Sequence, residues 1–144
     1  MKYLENMFKS FSQKIISRTS ALILFLFILI TVDAKAQNKV TFQVNLEPQL
    51  KDSIFVPKRD KIYVKGNIFP LTNSRKVYLE DKAPTDSVFE ATVNFPSSAI
   101  GQTLQFNYII ATPSKKITEQ MSRQIQLQSG DRELDALYFN SFAW

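Results

Sequence analysis

From Val40 onward, run after run of this chain alternates apolar and polar residues with a period of two. "VTFQVNL" sets Val40, Phe42, Val44 and Leu46 against Thr41, Gln43 and Asn45. "KIYVKGN" sets Ile62 and Val64 against Tyr63 and Lys65, and "KVYLE" sets Val77 and Leu79 against Tyr78 and Glu80. "VFEATVNFP" and "LQFNYIIA" place Phe89, Ala91, Val93, Phe95, Leu104, Phe106, Tyr108 and Ile110 on their inner faces. "RQIQLQ" supplies a sixth run and "ELDALYFN" a weaker seventh. Successive side chains of a strand point to opposite faces, so such runs predict half-buried antiparallel strands. β-branched and aromatic residues fill them, as a pleated surface favours. "EDKAPTDS", "PSSAIGQ", "TPSKK" and "SGDRE" read as turns. Gly66, at a strand end, marks a bulge or a close backbone approach. About seven short strands in roughly 100 residues predict an all-β fold, an antiparallel immunoglobulin-like β-sandwich. A small closed barrel is the alternative.

The first 36 residues stand apart from this pattern. Lys2, Lys9, Lys14 and Arg18 precede the uncharged run "ALILFLFILITV", and "AKAQ" follows with small residues at the A-x-A positions. Twelve residues at about 1.5 Å rise fall short of a hydrocarbon core of roughly 30 Å. The layout predicts a signal peptide at 1–36, cleaved after Ala36, and a mature domain at 37–144 in the extracellular space, periplasm or cell envelope. Contact with a membrane is expected only if this leader stays uncleaved. The chain has no Cys, so it carries no lipobox and no disulfide.

Charge and composition narrow the function. Five basic and two acidic residues lie in the leader, which leaves the mature part near +2. No basic cluster longer than a pair occurs there, so nucleic acid is not an expected partner. With no His and no Cys, His-based triads, thiol nucleophiles and most transition-metal sites are absent. The carboxylates of "ED" (Glu80, Asp81) and "DRELD" (Asp131, Glu133, Asp135) lie near turns and read as solvated charges. No residue set points to an enzyme, and no cofactor is implied. A binding or spacer module remains, with ligand residues on loops that the sheets hold in place.

Two connections draw interest. "EPQLKDSIFVPKRD" joins the first two strands and carries Leu50, Ile54, Phe55 and Val56. It reads as a strand-like crossover packed on the sandwich edge, or as the carrier of a ligand-facing Phe55. "KKITEQMSRQIQLQ" runs from a polar loop into a strand, and its Glu119 and Arg123 are either ligand contacts or a loop-fixing pair.

The order of the segments "KIYVKGNIFPL", "KVYLEDK", "SVFEATVNFP", "LQFNYII" and "ITEQMSRQIQL" resembles the starch-binding domain of the family 20 carbohydrate-binding modules. The corresponding family patterns are V-Y-x-V-G-S/N, V-x-L, W/Y-x-A/V-T-V-x-L-P, F-E-Y-K-F and W-E-x-x-x-N-R. The resemblance implies an antiparallel sandwich that binds α-glucans, usually attached to a catalytic domain, through two ring-stacking Trp residues. Neither Trp is present: "PLTNSRK" occupies one place and Thr118 the other. The resemblance places the Lys of F-E-Y-K-F on Asn107, the Glu of W-E on Glu119, and the Asn and Arg of its last motif on Ser122 and Arg123. Of the family's second site, only Phe55 lies near the expected Tyr, and Ala83 occupies the other position. Phe69, in the loop after Gly66, is the candidate replacement for a missing Trp.

The expectation is thus an exported, non-catalytic module for an α-glucan polysaccharide or oligosaccharide, with Phe69, Asn107, Glu119, Ser122, Arg123 and Phe55 as candidate ligand residues. The competing expectation is a sandwich without sugar binding, acting as a spacer or protein-interaction module. In that case the apolar tail Leu137, Phe139, Phe142 and Trp144 docks on its own domain or on a partner.

Overall fold

A computed structural model describes residues 38–72 and 76–141. The leader, Phe142 and Trp144 lie outside the described residues, and with them the expectations made for those segments. The described part is a two-sheet β-sandwich. Its strands are β1 (Asn38–Asn45), β2 (Lys61–Gly66), β3 (Val77–Leu79), β4 (Val88–Phe95), β5 (Thr103–Ala111), β6 (Lys116–Thr118), β7 (Arg123–Gln126) and β8 (Arg132–Glu133). One sheet has the order β4-β1-β8. The other runs β3-β2-β5, and β5 then pairs with both β6 and β7. Pairing is antiparallel except between β1 and β8, which is parallel.

The alternation read from the sequence sets the core. Phe42, Val44, Val64, Leu104, Tyr108 and Ile110 are buried between the sheets. Phe42 of β1 meets Phe106 of β5 edge-on at 5.0 Å and Phe95 of β4 at 6.3 Å, so one ring touches both sheets. Tyr63, on the outer face opposite Ile62 and Val64, is nevertheless 5% exposed. Tyr78 stands against it edge-on at 5.9 Å, and the Lys76 ammonium lies 5.1 Å from its ring centre. An outward ring is covered here by its cross-strand neighbours rather than by the core.

Gly66 has the close approach its position suggested. A Cβ there would lie 2.9 Å from the Gln105 carbonyl oxygen and 3.0 Å from Leu104 Cδ1. The backbone of β5 therefore leaves no room for a side chain.

The first connection departs from the expected strand-like crossover. Residues Glu47–Lys51 form a short helix, α1, with Pro in its first turn. Asn45 Oδ1 accepts the Glu47 N–H at 2.8 Å, and Lys51 pairs back to Glu47 at 2.7 Å. Further along, Asp60 closes the loop by accepting the Val56 N–H at 2.8 Å and two bonds from Arg59.

These bonds make Asp60 a pH-sensitive clasp. The Arg59 guanidinium, with help from the Val56 N–H, holds the Asp60 carboxyl below its ordinary value of 3.8. A carboxyl lowered in the folded state stabilises the fold fully above its unfolded pKa, and that contribution disappears as pH falls through the folded value. Asp60→Asn is expected to reduce stability at neutral pH and to flatten the loss of stability below about pH 4. Urea titrations of both proteins at several pH values check this. An unchanged acid limb would count against the clasp.

Candidate functional site

The stretch from Lys116 to Gln126 is one interrupted edge strand. Ile109 pairs with Thr118, and Phe106 pairs with Arg123. Asn107 and Tyr108 of β5 thus face the four residues 119–122, a bulge with two residues to spare. The sequence expectation of a plain polar loop missed β6, because three residues are too few to show a period.

The bulge turns Glu119 inward, where its side chain is only 1% exposed. Its Oε2 accepts the Tyr108 N–H at 3.0 Å, and its Oε1 accepts the Asn140 N–H at 3.1 Å. Arg123 reaches the same carboxylate through Nε at 3.2 Å and Nη2 at 2.8 Å. The Nη2 group also donates to the Tyr138 carbonyl at 2.9 Å. The guanidinium carbon sits 4.8 Å from the centre of the Tyr108 ring. Outside, Asn107 donates to the Met121 carbonyl at 3.0 Å and accepts the Ser122 hydroxyl at 2.8 Å.

The structure joins Asn107, Glu119, Ser122 and Arg123, the four polar residues expected as ligand contacts, to one another and to the backbone. The Glu119 carboxylate is saturated from within, and the amide of Asn107 is spent on the bulge. Glu119 and Arg123 form a buried clasp rather than an exposed pair, and they tie the bulge to the C-terminal segment. That segment docks on its own domain: Leu137 O accepts the Asn45 N–H at 3.0 Å, and Phe139 is buried in the core.

Phe106 and Tyr108 both point inward, and Ile109 and Thr118 are cross-strand neighbours on the outer face.

Tyr108 fixes the sheets to each other at the same place. Its hydroxyl donates to the Gln43 carbonyl at 2.7 Å. Leu134 N–H bonds the Thr41 carbonyl and Phe139 N–H bonds the Asn45 carbonyl, while Gln43 between them meets no strand partner on that side. The phenol fills that gap, and burial pushes its pKa well above the ordinary value, so it stays a donor.

Phe55 is likewise held within the fold. It is 3% exposed and packs edge-on against Phe89 at 5.1 Å. Its neighbour Ile54, not Phe55, is the exposed residue of that loop. The short helix turns the aromatic ring inward.

Phe69 alone of the six candidates offers an open apolar face, with 57% exposed. It lines a groove of about 490 Å³ with Pro70, Lys76, Val77, Thr92, Val93 and Asn94. The groove lies at the edge of the sandwich where β3 approaches β4, and Glu80 and Glu90 bridge there. The Glu119 crevice, about 380 Å³, lies between β7 and the β8 segment at the opposite edge. Phe69 and three of the polar residues expected to work with it, Glu119, Ser122 and Arg123, are therefore at opposite edges of the sandwich. The partners it does have, Thr92 and Asn94, are outward positions of β4, and the sequence shows them only as the polar half of an alternation. Aromatic face, hydroxyl, amide and ammonium together suit a sugar ring. Among the described residues, no group of three or more acidic side chains converges as a metal site would need.

No protein-family model matches this chain, and no curated protein does. In fold it is similar to the glucoamylase of Hormoconis resinae, with a TM-score of 0.56 over 78% of this chain at 15% identity. The match spans 19% of that protein's length. At this identity the likeness is one of fold.

Proposed function

We propose that this chain is an exported, non-catalytic polysaccharide-binding module, with α-glucan as the ligand class and the Phe69 groove as the site. The observation that carries this reading is the exposed Phe69 ring beside Lys76, Thr92 and Asn94. Sugar sites combine a ring that stacks on the apolar face of a pyranose with a few polar groups that fix its hydroxyls. Fold likeness to part of a glucoamylase and the ordered strand motifs support the choice of α-glucan. One ring in place of two implies weak binding, because aromatic anchors carry most of the energy of such contacts.

Calorimetric titration with maltoheptaose and β-cyclodextrin tests the reading. Binding in the millimolar range is expected, and Phe69→Ala is expected to remove it, while Arg132→Gln at the opposite edge leaves it intact. Absence of heat at millimolar sugar would sink the proposal. The competing role as a spacer domain would then stand; burial of Phe139 on its own sandwich takes support from a docking role for that residue.

A further inference from the structure

The outer face of the five-stranded sheet has a charge pattern of which packing explains only Lys76, whose ammonium lies over the Tyr63 ring. Strand pairing lays its outward residues in rows. Tyr78, Tyr63, Ile109 and Thr118 form the middle row. Lys61, Ala111 and Lys116 flank it on one side. On the other side Lys65 stands opposite Asn107, and the next step of the β2–β3 pairing brings Lys76 opposite Lys65. All four lysines are exposed. Among the described residues none of them makes an ion pair. Among the described residues Glu80 is the carboxylate at the margin; the same pairing extended the other way sets it opposite Lys61, with no ion pair between them.

The opposite sheet is arranged differently. On its outer face Lys82 pairs with Glu90 at 2.8 Å, and Gln43 donates to Glu133. Lys82 and Glu90 there neutralise each other. The four lysines of the five-stranded sheet lack such a partner among the described residues, and Lys65 and Lys76 on adjacent strands, about 4.8 Å apart at the backbone, repel. A fold gains nothing from such a pair by itself. An anion lying along the face would remove the repulsion and use it.

We infer that this face binds an acidic polysaccharide, one carrying carboxylate or sulfate groups. Lys61, Lys65, Lys76 and Lys116 meet the acid groups on both sides of the tyrosine row. Tyr78, 46% exposed, offers the ring on which a sugar stacks. Gln105 and Thr118, both exposed, supply an amide and a hydroxyl group for uncharged positions of the sugar. Charge complementarity selects an anion, and the count of rings selects among anions. Binding of a single nucleic-acid strand stacks successive bases on several rings. Here Tyr63 is covered, and among the described residues Tyr78 is the one ring of the face left open. Lys76 borders both this face and the Phe69 groove, but the inference does not rest on the Phe69 ring or on the neutral sugar proposed for it.

Affinity electrophoresis of the chain through gels containing polygalacturonate, heparin, amylose or single-stranded polythymidylate tests it. Retardation by polygalacturonate or heparin is expected, with the more effective one identifying the acid group. Lys65→Gln/Lys116→Gln should weaken that retardation at least tenfold while the melting temperature holds or rises. Tyr78→Ala should weaken it too, and Lys39→Gln on the other sheet should not. No retardation by either acidic polymer overturns the inference. So does equal retardation by polythymidylate, which would mark simple cation exchange, or full retention of binding in the double lysine variant. Failure with amylose alone speaks to the Phe69 groove and leaves this face standing.

Discussion

Glu119→Ala is expected to cost the fold about 3–5 kcal/mol, the usual penalty for removing one partner of a buried ion pair. The loss does not come from the attraction between the charges, which desolvation largely offsets. It comes from what is left behind. Arg123, whose side chain is 15% exposed, would keep its charge with no counter-ion. The Tyr108 and Asn140 N–H groups would lose their acceptor, and a buried donor without a partner costs about 1–3 kcal/mol. Urea denaturation followed by circular dichroism measures the effect. The double variant Glu119→Leu/Arg123→Met separates causes, because it removes both charges. It should recover a large part of the loss. If it is no more stable than Glu119→Ala, the backbone bonds of the bulge, rather than the stranded guanidinium, carry the penalty. Neither change touches Phe69, so sugar titration of any variant that stays folded should be unaltered.

Phe42→Ala is expected to be of similar size, about 3–5 kcal/mol. Phe42 is fully buried and its ring is shared between the sheets, touching Phe106 on one and Phe95 on the other. Truncation removes both edge contacts and leaves a void that rigid strands on either side cannot close. The midpoint of unfolding should fall steeply with little change in its slope against urea. A cost below about 1 kcal/mol would mean that the sheets move together to fill the space, a degree of plasticity that close-packed interiors rarely show.

The sandwich was legible because a strand writes its burial into every second residue. Val40, Phe42, Val44 and Leu46 were assigned to the core from alternation alone, and all four are there. Two things were not legible, for different reasons. The three residues of β6 and the two of β8 are too short for a period to show. Glu119 is the second case. Its burial depends on the two extra residues of the bulge, on a backbone N–H from Tyr108, and on a segment that returns near Asn140. No local pattern records a meeting between residues so far apart. Phe55 failed in a related way: the ring was visible, but the helical turn that points it inward is set by Pro48 and the Asn45 side chain. The Phe69 groove was half legible. The ring stood out in its loop, whereas Thr92 and Asn94 belong to another strand, and only the sheet-to-sheet approach of β3 and β4 brings them near.

The bulge at residues 119–122 has a further consequence, for how this domain meets copies of itself. The strand it interrupts lies at the border of its sheet, where a long straight row of free N–H and C=O groups would invite another chain to pair. Breaking that row into β6 and β7 leaves segments of three and four residues, each too short to template a stable ladder. The inward Glu119 and the outward kink at Met121 add a buried charge and an abrupt change of direction at the break. The device that secures the C-terminal segment therefore also keeps this border of the sheet from growing into a shared sheet.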